Sequence, residues 1–359
     1  MTDFEMTAPF ALGTFSSAGG ERFAAVVVGD SAIAVRHLAP LCERVGRPLP
    51  ARALRLESVF GLLEDWAAGF AALDAALHLH AEDAAARNSL LAHWQPVGGL
   101  RMHPPVDLPR QIMCTGANYF KHVVDLIVDQ GPGANPDTEG LDPEQLRAHA
   151  HAVMTERSQT GTPYAFAKAI SAVTGPFDPI VLPAIAQKPD WELELGVVIS
   201  RAARNVRRED ALSYIAGYTV VNDVTARDLV YVREPKALGT DWVSAKSAPT
   251  FLPMGPYLVP AAFVKNPQDL RIQLKLNGQV MQDESTSDMI FDVARQIEHI
   301  SSRIQLLPGD LICTGSPAGN GTHYKRFLRA GDVVEGAITG LGVQRNVCQD
   351  EAETQTRSA

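Results

Sequence analysis

Two glutamates two residues apart, Glu192 and Glu194, lie in the stretch Lys188-Pro189-Asp190-Trp191-Glu192-Leu193-Glu194-Leu195-Gly196-Val197-Val198-Ile199-Ser200. On a β-strand, side chains two apart share a face, so both carboxylates would project together while Leu193 and Leu195 turn into apolar packing. Like charges that close repel unless a cation or a shared proton compensates them. The continuation into Val197-Val198-Ile199 predicts a buried strand, and there a divalent metal is the simplest compensation. Taken alone, a Glu-x-Glu is more often a half-exposed edge strand with its acids in water. Further along, Tyr218-Thr219-Val220-Val221 reads as a second buried strand that ends in Asn222-Asp223. An acid just past such a strand suits a site at a strand mouth, so Asp223 can supply a third oxygen ligand. Three carboxylates with water suit Mg²⁺ or Mn²⁺, and as a crystallographic stand-in Ca²⁺, better than zinc, which favours imidazole and thiolate.

A second set of candidates precedes these acids. A helix beginning near Asn118 in Asn118-Tyr119-Phe120-Lys121-His122-Val123-Val124-Asp125 would place His122 and Asp125 three apart on one face. That spacing fits a general base oriented by an acid, and it equally fits a surface helix carrying a chance pair. Lys168, in Phe166-Ala167-Lys168, could face a carboxylated substrate or close a structural ion pair. Lys246 sits in an apolar and aromatic context that disfavours a purely snorkelling surface role. Thr314 follows a predicted strand and opens the loop Gly315-Ser316-Pro317-Ala318-Gly319, whose backbone and hydroxyl donors could hold a substrate carboxylate.

Taken together, Asp190-Trp191-Glu192-Leu193-Glu194, Asn222-Asp223-Val224-Thr225-Ala226-Arg227-Asp228 and Thr314-Gly315-Ser316-Pro317-Ala318-Gly319 resemble the fumarylacetoacetate hydrolase family in order and spacing. The resemblance implies metal ligation by Glu192, Glu194 and Asp223. The family's Asn-Tyr-x-x-His-x-x-Glu pattern maps onto Asn118, Tyr119, His122 and Asp125, which implies a catalytic dyad of His122 and Asp125, with aspartate where many members carry glutamate. It also implies a catalytic Lys246 at the metal site and substrate contacts from Tyr119, Lys168, Arg227, Thr314 and Gly315. One departure concerns Val230, which aligns with a glutamine of many relatives and removes a polar contact.

The elements that must position these groups follow from the rest of the chain. Its 359 residues, 46% of them hydrophobic, suffice for a main domain and a smaller one. The fold class expected is α+β and β-rich: a small N-terminal α+β domain over residues 1–108, then the mixed β-roll of the resembled family over 109–348, then a polar, disordered tail over 349–359. A β-hairpin is predicted at residues 23–35 around Gly29-Asp30, with helices over 58–77 and 83–94. His78 and His80 are read as surface residues. Later, Asn277-Gly278 marks another hairpin, and 289–304 has helical periodicity. Between the dyad and Lys168, residues 126–163 form an insertion in which Asp142-Pro143 opens a second helix to about Arg157. Such an insertion is expected to serve as an active-site lid, with His149 and His151 facing solvent.

A formal charge of −9 argues against nucleic acid or an anionic membrane as partner, while a metal and local cations can still draw in an anionic substrate. No apolar run is long enough to span a bilayer, and the N-terminus lacks a signal-peptide pattern. The scattered Cys42, Cys114, Cys313 and Cys348 follow no metal-ligand spacing and are expected as free thiols in the cytoplasm.

The resemblance implies chemistry on small 2-oxo or diketo acids that passes through a pyruvate enolate, and a homodimer. The leading expectation is hydrolysis of a carbon–carbon bond in an acylpyruvate or related 1,3-diketo acid. Decarboxylation of an oxaloacetate-like acid, hydration of a 2-oxo-enoate and enol–keto isomerisation use the same stabilised enolate and stay open. So does a non-catalytic metal-binding scaffold.

Overall fold

The computed structural model describes residues 4–54, 57–132, 136–232 and 239–351. Two mixed sheets form the body of the molecule. In the six-stranded sheet the order is Val259–Pro260, Ile215–Asn222, Leu193–Ile199, Leu311–Cys313, Ile112–Gly116 and Tyr164–Ala167. The five-stranded sheet runs Gln279–Ser285, Arg271–Leu276, Val333–Ile338, Gly342–Asp350 and Ile180–Leu182. The architecture is the α+β, β-rich roll expected.

The central strand, Leu193–Ile199, is buried along its whole length, which is why it reads as a nearly continuous apolar run. Gly196 is needed there for close approach: a Cβ would lie 2.9 Å from Thr219 Cγ2 and 3.0 Å from Val221 Cγ1. Antiparallel pairing sets Leu193 opposite Asn222 and Glu194 opposite Val221. The strand does not extend back through Glu192 as predicted. Pro189–Asp190 forms a separate short strand with Thr225–Ala226, and Glu192 sits at the break. Two backbone-directed bonds close that break: Glu192 N–H donates to Asn222 Oδ1 (2.9 Å) and Asp223 N–H to the Glu192 carbonyl (2.8 Å).

The N-terminal region carries its own five-stranded sheet from Ala11–Ser16, Arg22–Val28, Ser31–Ala34, Gln95–Pro96 and Arg101–His103. It is less separate than the sequence suggests. The backbone N–H and C=O of Leu12 both bond to Leu258, at 2.9 and 2.8 Å, and one hydrophobic core runs from Phe10 to Cys348. The single helix expected over 58–77 is split into Phe60–Leu63 and Trp66–Glu82, with a Cβ at Gly69 only 3.0 Å from Leu62 Cδ2 where the two pieces cross. No helix among the described residues is long and apolar enough to cross a membrane.

The expected lid is held as a buttress. Pro143–Thr160 is a helix whose N-cap, Asp142, forms a reciprocal capping box with Gln145. Its buried Ala150 and Met154 pack with Val123, Val124 and Phe291 against the helix Phe120–Gln130, which carries His122. Arg147 pairs with Asp125 at 3.0 Å, and Arg295 holds the carbonyls of Ser158 and Gly161 at 2.5 Å each. At the other end, fully buried Asn118 donates to the carbonyls of Phe291 (3.0 Å) and Thr314 (2.8 Å) and accepts from Phe291 N–H (2.9 Å). The His122 helix therefore starts from a fixed point.

The helix break at Gly131-Pro132-Gly133-Ala134-Asn135-Pro136 falls partly outside the described residues. So does the tail: residues 352–359 lie outside them, whereas Gln349 and Asp350, expected in the tail, pair with Val181 and Leu182.

Candidate active site

The break before Leu193 and the end of the Ile215–Asn222 strand bring three carboxylates together. Glu192, Glu194 and Asp223 each offer an oxygen within 4.8 Å of the others, and all three are buried. Three cations face them. Lys246 ends the short helix Trp242–Lys246, capped by Asp241, and donates to Glu192 Oε2 and Asp223 Oδ2, both at 2.5 Å. Arg227 bridges Asp190 Oδ2 (2.8 Å) and Glu192 Oε1 (2.5 Å). Lys168, just past the Tyr164–Ala167 strand, reaches Asp223 Oδ1 at 2.6 Å.

Burial opposes charge throughout this cluster, and the partners decide the outcome. For Glu192, burial raises the pKa, but Arg227 and Lys246 outweigh it and hold the carboxyl below the usual carboxylate range. Burial likewise disfavours the Lys246 ammonium, and Asp223 and Glu192 reverse the effect, keeping it charged. Glu194 has no such rescue. Burial, then Asp223, Cys313 and Glu192, push its carboxyl well above the ordinary value, although Gly315 N–H donates to its Oε2 at 2.7 Å. Burial and like charge oppose ionisation of Glu194, and a divalent cation would reverse that opposition and convert the carboxyl to a ligand. The donor set is all oxygen, so the residues fit a hard ion.

A cavity of about 440 Å³ opens over the cluster, lined at this end by the three acids, Arg227, Lys246 and His122. His122 is held neutral: burial lowers its pKa to about 4, the nearby Glu192 charge only partly opposing this.

Several expected contacts are placed differently. Lys168 is buried and donates also to the carbonyls of Phe251 (2.7 Å) and Val224 (3.3 Å); it holds Asp223 from behind and, unlike Lys246, does not line the cavity. Tyr119 is fully buried away from the cavity, and its hydroxyl has no partner among the described residues. Thr314 Oγ1 donates to the Leu195 carbonyl at 2.9 Å, and the Gly315 N–H is taken by Glu194, so this loop supports the acids instead of offering free donors. Gly315 itself has φ +98°, and a Cβ there would come 2.8 Å from Asn118 Cβ. Asp125 pairs with Arg147, and among the described residues no hydrogen bond joins it to His122; it acts on the imidazole through charge alone.

Two residues escaped the sequence reading. Asp190, fully buried, accepts from Arg227, from the N–H groups of Gly321 (2.6 Å) and Thr322 (3.2 Å) and from Thr322 Oγ1 (3.2 Å), tying Arg227 to the cavity rim. Gln282 donates to Ser316 Oγ (2.9 Å) and the Pro317 carbonyl (2.8 Å) and shapes the 314–319 loop. Asp190 stands inside the motif already singled out, next to Trp191, where its place in that motif was the available signal; Gln282 lies in a hairpin with no local cue to a partner so distant in sequence.

A buried cage of three carboxylates that could hold a metal ion lies beside a neutral histidine in a mixed β-roll. Residues 111–349 match the family model described as fumarylacetoacetate (FAA) hydrolase, C-terminal, and the chain belongs to that family. It is 44% identical over 203 residues to the 2,4-didehydro-3-deoxy-L-rhamnonate hydrolase of Sphingomonas sp., covering 56% of this chain and 70% of that protein. It is 36% identical over 241 residues to the mitochondrial oxaloacetate tautomerase FAHD2A of Bos taurus, 67% of this chain and 66% of that one. The structure of the 2-hydroxyhepta-2,4-diene-1,7-dioate isomerase from Mycobacterium marinum aligns with a TM-score of 0.61 at 27% identity, over 95% of this chain and 99% of that chain. The family thus spans hydrolase, tautomerase and isomerase chemistry.

Two predictions follow from this electrostatic balance. Lys168→Met leaves Asp223 without its second cation: Mn²⁺ affinity measured by calorimetry should fall about 10- to 100-fold, whereas a substrate-binding lysine would raise KM with Mn²⁺ affinity unchanged. Because His122 has a lowered folded pKa, it binds a proton more weakly than in the unfolded chain. Its neutral form, with the associated stability, is complete above pH 6.5 and is lost as pH falls toward about 4. At saturating metal, log(kcat/KM) should therefore show no inflection near pH 6.5; a slope of one setting in there would contradict the neutral imidazole.

Proposed function

We propose that the protein is a metal-dependent hydrolase that cleaves a carbon–carbon bond of an acylpyruvate or related 1,3-diketo acid, releasing pyruvate and a carboxylic acid. The observation that carries this reading is the buried Glu192, Glu194 and Asp223 cluster opening on the same cavity as the neutral His122. Glu192, Glu194 and Asp223 would hold Mg²⁺ or Mn²⁺. When bound, such an ion supplies Lewis-acid charge for the carboxylate and 2-oxo oxygen of a substrate.

The chain's own groups account for the rest. His122, uncharged at neutral pH, accepts a proton from a water, and the negative charge of a bound oxo acid strengthens it as a base. The hydroxide equivalent adds to the distal carbonyl. Lys246 and Arg227 face the oxyanion that develops, where one preorganised donor contributes about 3 to 4 kcal/mol. The bond between that carbon and its methylene neighbour breaks, the electron pair leaves as pyruvate enolate, and the proton held on His122 returns to the methylene carbon. Water is consumed once, and the products are pyruvate and the acid. A hydrolase of a 2,4-didehydro sugar acid among the relatives supports the reading, since acylpyruvates carry oxo groups at the same two positions. Four unbridged, buried cysteines are compatible with a reducing cytoplasm.

The tautomerase relative motivates the second reading, in which His122 moves the methylene proton of oxaloacetate without any attacking water. A panel of acylpyruvates and oxaloacetate, assayed with Mg²⁺, Mn²⁺ or chelator, separates the two. The hydrolase gives metal-dependent pyruvate with an equimolar carboxylic acid, lost in a folded Asp223→Ala variant. Interconversion of oxaloacetate tautomers with no carbon–carbon cleavage anywhere would replace it with the tautomerase, and absence of both activities in a metal-loaded protein would leave the scaffold reading.

A further inference from the structure

The cavity has two chemically different ends. One is the charged cluster. The other is walled by Tyr164, Phe166, Val230, Tyr231 and Trp242, with no charged side chain among them. Phe166 and Trp242 stack at 4.5 Å with an interplanar angle of 16°, and Tyr164 lies 6.1 Å from each ring. The Trp242 indole N–H donates to the Tyr164 hydroxyl at 2.6 Å, so the indole contributes its faces and edge without leaving a donor unpaired. Tyr231 is 72% exposed and Tyr164 46% exposed, an unusual amount of aromatic surface at the side of a polar site.

The placement of this wall is coupled to the charged end. Trp242 and Lys246 are the first and last residues of one short helix, four apart and hence on one face. Lys246 is at the carboxylates while its ammonium also lies 5.4 Å from the Phe166 ring centroid. A molecule whose anionic head meets Lys246, Arg227 and a cation held by the acids would project its remaining atoms along Phe166 toward Trp242 and Tyr231.

Resting on the acylpyruvate reading above, we infer that this wall is the acyl-group subsite and that it takes a planar apolar acyl group, aromatic or conjugated, in preference to a second carboxylate or a polyhydroxylated chain. A distal carboxylate would lose its hydration against aromatic faces, since none of the described residues of this wall is a cation, and hydroxyls would find few partners among them. A flat ring gains stacking and apolar contact on the same surfaces.

The test uses oxo acids that cannot be cleaved, so that it stands apart from turnover. With the Mn²⁺-loaded protein, calorimetry compares 2-oxo-4-phenylbutanoate, 2-oxobutanoate and 2-oxoadipate. The phenyl compound should bind at least ten-fold more tightly than either of the others, and both Trp242→Ala and the surface variant Tyr231→Ala should cut that ratio several-fold. Equal affinities, or tighter binding of 2-oxoadipate, would overturn the subsite. So would a phenyl preference untouched by both variants. Failure of acylpyruvate cleavage with the phenyl preference intact would overturn the reaction and leave the subsite standing.

Discussion

The contact on which the rest depends is that of Lys246 with Glu192 and Asp223, made in the protein interior where the three side chains are 3%, 10% and 1% exposed. Charges there interact strongly and are expensive to leave unpaired. The surrounding architecture serves to deliver the partners. A strand break presents Glu192, a strand end presents Asp223, an Asp241-capped helical turn presents Lys246, and the residue after an edge strand presents Lys168. Asp190 then holds Arg227 from behind. Glu194 is the member that this arrangement leaves uncompensated, and it is the reason that the cluster reads as a cation site and not as a closed salt-bridge network.

The same balance shapes what the site can do. Lys168, Thr314 and Gly315 direct donors to Asp223, the Leu195 carbonyl and Glu194, so under the proposed reaction Arg227 and Lys246 are the cations lining the cavity that would meet a substrate head. His122 is brought over the cluster by a helix clamped at Asn118 and buttressed by the Pro143–Thr160 helix. Burial keeps its imidazole neutral, which suits a group that must take up a proton during the reaction. Under the proposed reaction, its type then depends on whether water shares the cavity with the oxo acid.

Much of this was legible in the sequence because the relevant signals were local. The period-two placement of Glu192 and Glu194, the apolar strand before Asp223, the Asn277-Gly278 turn and the Asp142 cap all act within a few residues. The motif trio also brought the family into view. Other features depend on contacts between distant segments and had no local signature. Lys168 could equally have faced substrate, and only the positions of Phe251, Val224 and Asp223 around its ammonium assign it to orientation. The reading of His122 with Asp125 followed helical spacing, but Arg147, from the insertion, captures the acid. The insertion reads as a lid because it is a long connection beside the dyad, while its burial against Val123, Val124 and Phe291 is a tertiary matter. Glu192 fell outside the strand predicted for it because Asn222 caps its N–H from the neighbouring strand.

The claim that most needs a direct measurement is that the cage holds one carboxyl too many for its own cations. Burial and neighbouring charge favour the protonated form of Glu194 in the metal-free protein, so binding of an ion should expel a proton. Titration calorimetry with Mn²⁺ in two buffers of different ionisation enthalpy counts that proton. The account predicts about one proton released per ion bound, abolished together with tight binding in Glu194→Gln. Binding at this site with no proton released would mean that Glu194 is already ionised, and the electrostatic account of the centre would be wrong.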